Sequence, residues 1–341
     1  MWLFRSNHLR LSNVFCLLLI SVLIGGCAHH WPLPEEERLA LYAPHPSAEG
    51  KTDPALVRHA PLFVAHGSAK AHNRIGTPAA TYDTYGREKI YVDAERATIY
   101  TQIRRFTTAR GAYTNLIYRI HFAATPFNLL PFNLTAGRNV GLMVVVTLDA
   151  AERPVLYTTV HTCGCYKSFT PTSHLPIERF PDKWPQGRVK VYGEVLPARL
   201  DLEGLAAPRL VVSLRPDVHR VMGLDIVDGA PGVGTAGIGY DRLPAYMAPA
   251  EALKRIPLDG RTTSFYHQDG VLEGHVRGSV KFWETLLMSW ASLDLFVGTD
   301  KAYADPAQTG NPFYTSIKPW NRERSNMWHF GEFLDFWGWG L

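Results

Sequence analysis

MVVVTLDAAERPVLYTTVHTCGCYKSFTPTS, residues 143–173, is the stretch that decides the fold of this chain. An apolar run that ends at Leu148 is followed by a short polar segment, 149–153, and then by a second β-rich run that ends at Cys165. Two such runs joined by a few turn residues predict an antiparallel β-hairpin. The second run ends in His-Thr-Cys-Gly-Cys, residues 161–165, so the same hairpin carries the most distinctive chemistry of the sequence.

Further strand patterns occupy the middle of the chain. A second hairpin is predicted over residues 97–122, with its turn at 108–111, and three more strand candidates follow the central hairpin at 189–195, 209–214 and 219–227. Strands therefore dominate the middle of the chain.

Helical patterns lie towards the C-terminus. Residues 249–256 begin with proline and predict a short helix, and residues 279–297 place seven large apolar side chains along one stripe of an amphipathic helix. The aromatic end of the chain, 326–341, predicts a closing helix on the core; the alternative is a Trp-rich surface for a membrane or a protein partner. The predicted fold class is therefore α+β, with antiparallel β-hairpins in the middle of the chain and amphipathic helices toward the C-terminus.

The His-x-Cys-x-Cys strand end predicts a metal site as one alternative. Side chains at i, i+2 and i+4 share one face of a strand, and imidazole with two thiolates suits zinc or copper. His161 and Cys165 would be ~13 Å apart on a straight strand, so the strand must bend, and Gly164 permits a bend. The fourth ligand would come from elsewhere in the chain, and four histidines are candidates: His121, His174, His267 and His275.

A disulfide between Cys163 and Cys165 is the second alternative. These two are the only cysteines outside the N-terminal leader and its cleavage motif, and an exported chain meets an oxidising compartment. A bridge across one residue closes a small ring, which is typical of a redox disulfide rather than of a structural one. The third alternative is a pair of inert cysteines beside a hydrogen-bonded histidine.

The first residues predict export. Arg5 and Arg10 precede an apolar run, 14–24, which is within the ~7–15 residues of a signal-peptide core and short of the ~20 that a spanning helix needs. The residues Ile-Gly-Gly-Cys, 24–27, resemble the lipobox of bacterial lipoproteins. That resemblance implies cleavage before Cys27 and acylation of its thiol, for example with palmitate, and Ala28 after the cysteine implies the outer membrane.

These features divide the chain into a signal peptide (1–26), a lipidated tether (27–60) and a single α+β domain (61–341). The two leader arginines account for two of the four net positive charges, so the mature chain carries about +2. A chain this close to neutral, without a basic block, is not expected to bind nucleic acid.

Two other motifs invite a functional interpretation. The glycines of 232–237 fit the dinucleotide-binding pattern, but a glycine and Pro244 follow where a helix should begin, so the segment is predicted to be a surface loop. His66 and His72 flank a loop with Ser68 and Lys70, and no nucleophile-elbow pattern surrounds that serine.

The sequence therefore predicts a lipid-anchored protein of the cell envelope, on the outer membrane and facing the periplasm, with a metal-binding or thiol-redox site. The alternatives are an exported thiol- or metal-dependent enzyme that also uses His66 and His72, and a structural envelope lipoprotein that meets its partner through the aromatic C-terminus.

Overall fold

The structure is a computed structural model that describes residues 38–46, 52–129, 132–229 and 239–341. Cys27 and the glycine-rich run 232–237 lie outside these described residues.

Strands make up most of the secondary structure. In chain order they are β1 (Leu39–His45), β2 (Leu62–His66), β3 (Thr77–Tyr82), β4 (Glu88–Asp93), β5 (Ala97–Thr108), β6 (Gly111–Thr125), β7 (Gly137–Leu148), β8 (Pro154–His161), β9 (Ser168–Pro171), β10 (Arg188–Val191), β11 (Glu194–Pro197), β12 (Pro208–Leu214), β13 (Val221–Asp228), β14 (Tyr240–Pro249), β15 (Ile256–Leu258) and β16 (Arg261–Thr263). Ten of them form one sheet in the order β13-β12-β2-β1-β14-β5-β6-β7-β8-β9. The other six pair as β3-β4, β10-β11 and β15-β16.

Helices are short and lie mainly in the last third of the chain. The α-helices are α1 (Pro54–Arg58), α2 (Phe282–Ser292), α3 (Pro306–Thr309) and α4 (Phe330–Phe336). The 3-10 helices cover Ala71–Asn73, Ile177–Arg179, Ala250–Lys254, Gly270–Leu272 and Pro319–Asn321.

The predicted central hairpin is confirmed as β7 and β8, which pair antiparallel from Leu142 opposite His161 to Leu148 opposite Pro154. Strand β7 is buried along almost its whole length, because alternate residues face two different cores. Val144 and Val146 belong to the larger core, and Met143 and Val145 to a second core on the opposite face. A strand covered on both faces is apolar throughout, which explains the unbroken run in its sequence.

The prediction of an α+β class is wrong. The structure is 43% strand and 15% helix, and its main element is a large curled sheet of ten strands. The hairpin β5-β6 was predicted, but β1 and β14 were not. These two strands pair parallel to each other, and β14 also pairs parallel to β5, so they join the antiparallel strands β5 to β9 to a mixed part of the sheet in which β12 pairs parallel to β2. Parallel pairing between distant segments leaves no local turn signal in a sequence.

The amphipathic helix predicted over 279–297 is shorter than expected and has a different buried face. It covers only Phe282–Ser292, and Leu293 ends it in the left-handed conformation with φ of 50°. The side chains of Leu286 and Trp290 are 55% and 76% exposed, whereas Glu284 is buried. The apolar stripe therefore does not pack on the core, and a buried carboxylate takes the inward position.

The aromatic C-terminus packs on the sheet as the sequence favoured. Phe330 and Phe333 of α4, followed by Trp339, are buried in the second core.

At the other end of the described chain, β1 falls within the range assigned to the tether, and it is hydrogen-bonded to β2 on one side and β14 on the other.

Candidate thiol and metal site

The site is a tight turn at the end of β8. The amide of His161 donates to the carbonyl of Cys165 at 2.9 Å, and the amide of Gly164 donates to the carbonyl of His161 at 2.8 Å. The bend expected at Gly164 is present, since its φ is +92°, a value that glycine adopts easily. The Cα atoms of Cys163 and Cys165 are 5.6 Å apart, closer than the ~6.6 Å of a straight strand.

The turn brings together the three side chains that the sequence singled out. The sulfurs of Cys163 and Cys165 are joined in a disulfide. One ligand atom from each of these residues and one from His161 all lie within 4.8 Å of one another. Cys163 is only 4% exposed, whereas Cys165 is partly exposed. An incoming thiol would therefore reach the sulfur of Cys165 first.

His161 is held as a neutral ring. Its Nε2 lies 3.1 Å from the carbonyl oxygen of His219 and donates a hydrogen bond to it, so Nδ1 keeps the lone pair. Burial lowers the pKa of His161 well below 6.5, with a further contribution from the positive charge of Lys281. A neutral imidazole is suited to bind a metal, but it cannot stabilise a thiolate by charge.

The positive charge beside the turn belongs to lysine instead. Lys301 is 1% exposed, and its Nζ donates to the carbonyl of Cys163 at 3.3 Å and lies 4.2 Å from the centre of the Tyr314 ring. Burial lowers the pKa of Lys301 to about 8, so the amine remains mostly protonated at neutral pH. A cation in this position favours a thiolate in the reduced turn.

A network of buried polar groups binds the turn. Asp300 accepts hydrogen bonds from the hydroxyl of Thr162 and from the amide of Gly141, the latter at 3.2 Å. The same carboxylate forms an ion pair with Lys281 at 3.2 Å, and the amide of Lys301 donates to the carbonyl of Thr162 at 2.8 Å. The segment 300–301 therefore fixes the turn to β7.

The segment around Tyr314 lies directly against Gly164 and covers the turn there. A Cβ atom built on Gly164 would lie 2.1 Å from the carbonyl oxygen of Tyr314, which is far closer than two such atoms can approach. The left-handed backbone and this contact both require glycine.

The other histidines predicted as metal ligands lie elsewhere. His121 faces the opposite side of the sheet, where its Nε2 accepts a hydrogen bond from Arg119 at 2.9 Å and its ring contacts Phe265. The Nδ1 of His174 lies 3.1 Å from the carbonyl of Pro154, at the far end of β8. Among the described residues, the group that could hold a metal at this site contains only His161 and the two cysteines.

Two further candidate ligands, His267 and His275, belong to a different part of the protein. The amide of His267 donates to the carbonyl of His275 at 2.9 Å, and the ring of His275 contacts Asn311. Burial lowers the pKa of His275 to about 4. Neither residue joins the cysteine group.

The loop that contains Ser68 does not form a catalytic dyad. The Ser68 hydroxyl donates to the carbonyl of Arg38 at 3.1 Å, and His72 Nε2 pairs with Asp217 at 2.7 Å. This loop nevertheless reaches the cysteine turn indirectly, because the carbonyl of His72 accepts from His219 Nε2 at 2.9 Å and the carbonyl of His219 binds His161.

Sequence reasoning missed Lys301, Asp300 and His219. Asp300 and Lys301 each lie 138 positions after the turn residue that they contact, and no motif surrounds them.

Comparison with protein-family models, curated proteins and solved structures finds no match. No helix among the described residues has both the length and the apolar character needed to span a bilayer.

Proposed function

We propose that this chain is an exported, lipid-anchored thiol-redox protein of the cell envelope whose working group is the Cys163–Cys165 disulfide. One observation carries the proposal: the disulfide closes an ordered turn at the end of a buried strand, with Cys165 partly exposed and Cys163 4% exposed. Such an arrangement makes Cys165 the more accessible of the two residues for a reactant thiol.

A structural role for this disulfide is weak on energetic grounds. A cross-link stabilises mainly by restricting the unfolded chain, and a ring of about three residues contributes only about 1.6 kcal/mol, compared with about 3 kcal/mol for a 15-residue loop. The turn is already held by the amide hydrogen bonds of His161 and Gly164 and by the contact with Lys301. Reduction should therefore leave the fold intact.

The proposed reaction is thiol–disulfide exchange with a dithiol. A thiolate of the partner attacks Sγ of Cys165, a bond forms between those two sulfurs, and Cys163 leaves as a thiolate beside the Lys301 ammonium. The second thiolate of the partner then attacks the mixed disulfide and releases Cys165. The partner loses two electrons and becomes a disulfide, and the cysteine pair gains them.

Single-cysteine variants test this order of attack. In Cys163→Ser the remaining Cys165 should form a mixed disulfide with glutathione disulfide at least tenfold faster than Cys163 does in Cys165→Ser, because exchange requires access to the thiolate. Mass spectrometry of timed, acid-quenched samples measures both rates. Equal rates, or a faster reaction at Cys163, would refute the proposed roles.

The envelope location is supported by the sequence of the leader. The Cys27→Ser variant tests it. We expect the full-length precursor to accumulate without lipid; normal cleavage and membrane retention of this variant would contradict the lipid anchor.

A reversible metal site on the reduced turn is the second candidate. It is favoured by the convergence of three ligand atoms within 4.8 Å and by a neutral imidazole at His161. Reduction would convert the two sulfurs into ligands for zinc or copper, with a fourth position left for water or a partner. Zinc should then bind the reduced protein and not the oxidised one, and His161→Ala should weaken binding; equal zinc content in both redox states would exclude this candidate.

A further inference from the structure

A cavity of about 130 Å³ lies on the opposite face of the sheet from His161. Arg119 of β6 lies opposite Met143 of β7, which lies opposite Val160 of β8. Residues that face each other across strands share one side of the sheet, so His161, the neighbour of Val160, points to the other side. The cavity is lined by strands β5 to β7 and is covered by three C-terminal side chains: Tyr266, Tyr303 and Trp328.

Arg119 places a positive charge at this cavity, and no described acidic residue forms an ion pair with it. The residue is 3% exposed; its Nε donates to His121 Nε2 at 2.9 Å and its Nη1 to the carbonyl of Lys301 at 2.9 Å. Its Nη2 has no hydrogen-bond acceptor in the part of the chain that the structure describes, and the guanidinium lies over the ring of Tyr266 at 5.5 Å. Burial lowers the pKa of His121 well below 6.5, so that ring is neutral and adds no compensating or competing charge. A buried cation without a counter-ion is costly, and an anionic ligand would remove that cost.

Two tyrosine hydroxyls supply donors to the same cavity. Tyr100 and Tyr266 are 5% and 6% exposed, both line the cavity, and neither hydroxyl has a hydrogen-bond partner among the described residues. Burial raises the pKa of both groups, so both are protonated at neutral pH and have a hydrogen to donate. Both residues line the cavity, so a ligand there could accept these hydrogens.

The rim of the cavity limits the charge that a ligand can carry. Glu251 and Lys254 form an exposed ion pair at 3.0 Å, and Asp305 uses its carboxylate to accept from the amide of Ala307 at 2.9 Å. Asp305 keeps its own negative charge at the rim, so Arg119 is the one positive charge of the lining without an acidic partner among the described residues, and one such cation suits a ligand with a single negative charge. The walls at Ile117 and Met143 are apolar and suit a hydrocarbon body.

We propose that this cavity binds the carboxylate of a small organic acid. The two tyrosine hydroxyls donate to the carboxylate, Arg119 supplies the opposite charge beneath it, and the apolar wall at Met143 receives the body of the ligand. The cavity volume restricts the ligand to about the size of an aromatic monocarboxylate. The proposal does not rest on the proposed redox activity, because the lining of the cavity contains no cysteine. The two sites are nevertheless connected through Lys301, whose carbonyl accepts from Arg119 and whose ammonium donates to the carbonyl of Cys163.

Calorimetric titration of the full-length protein with benzoate, and separately with benzyl alcohol, tests the proposal. Benzoate should bind saturably, and the neutral alcohol should bind at least tenfold more weakly. Tyr100→Phe and Tyr266→Phe keep the buried rings, and each should weaken benzoate binding about tenfold because each removes one hydrogen bond to a charged group. Tyr42→Phe is the matched control, since Tyr42 is a buried tyrosine in the core on the other face.

Arg119→Met should abolish benzoate binding, and the two conservative tyrosine variants keep the test valid if the arginine variant does not fold. Equal affinity for benzoate and benzyl alcohol would overturn the proposal, as would unchanged affinity in both tyrosine variants. Binding of inorganic phosphate in the absence of any benzoate binding would also overturn it.

Discussion

Replacement of Gly164 by alanine tests how firmly the cysteine turn is held against the rest of the protein. The residue has φ of +92°, and a non-glycine residue in left-handed conformation costs about 1–2 kcal/mol. The new methyl group would also lie 2.1 Å from the carbonyl oxygen of Tyr314, so the backbone near that residue must move. Overpacking of this kind costs about 1–3 kcal/mol, which gives a total loss of about 2–5 kcal/mol.

Gly204→Ala is the matched control. Its φ is +74°, and a Cβ atom built there has no heavy atom of the described residues within 4 Å. This variant should lose only the conformational part, about 1–2 kcal/mol, so the difference between the two variants isolates the contact with Tyr314.

Equilibrium urea unfolding of both variants measures the two free energies. The comparison is repeated with Cys163 and Cys165 replaced by serine, so that a change in the disulfide does not contribute. Equal destabilisation of Gly164→Ala and Gly204→Ala would refute the inference that the segment around Tyr314 covers the turn.

Three further predictions concern the core, the buried histidines and the lysine beside the turn. Phe333→Ala should lower the free energy of unfolding by about 3–5 kcal/mol, because the ring is buried in the core. Trp320→Ala is the control: its side chain is 75% exposed, so the change should be less than about 0.5 kcal/mol. Equal urea midpoints for the two variants would contradict this prediction. Burial lowers the pKa of His219 to about 3 and that of His161 well below 6.5, so each ring stays neutral in the folded state. In the unfolded chain the same histidines take up a proton below about pH 6.5. Stability should therefore fall with pH below 6.5, by about 1.4 kcal/mol per pH unit for each such histidine, and urea unfolding that is unchanged between pH 7.5 and 5.0 would be inconsistent with neutral buried rings. Lys301→Met should slow the reaction of the reduced turn with iodoacetamide at pH 7 about tenfold, because the nearby positive charge that favours a thiolate is gone; an unchanged rate would show that the lysine only supports the backbone.

The hairpins of this fold could be predicted from the sequence, and the parallel pairing of β1 and β5 with β14 could not. Hairpins are local, so the turn at 149–153 and the apolar residues on either side were enough to define β7 and β8. Strands β1 and β14 are almost 200 residues apart in the chain and pair parallel, and no short-range pattern connects them. Helix α2 was predicted from its apolar stripe, but a stripe indicates only that a helix has two different faces and does not establish which face is buried.

The three residues of the turn could be predicted from the sequence, and the distant residues that contact them could not. His161, Cys163 and Cys165 are close in sequence, and the need for a bend at Gly164 followed from strand geometry. The state of the site depends on distant residues: the carbonyl of His219 orients the imidazole, and Lys301 provides the charge. Neither contact can be inferred without the tertiary structure.

The reduction potential of the cysteine pair, measured in the folded protein, tests the central claim most directly. The protein is equilibrated in glutathione buffers of known potential, free thiols are alkylated and counted by mass spectrometry, and circular dichroism records the fold at each point. A redox protein should show a two-electron transition between about −120 and −270 mV, with the spectrum unchanged across it. A disulfide that remains oxidised below about −300 mV, or a fold that is lost when it is reduced, would identify the bond as structural and contradict the proposed function.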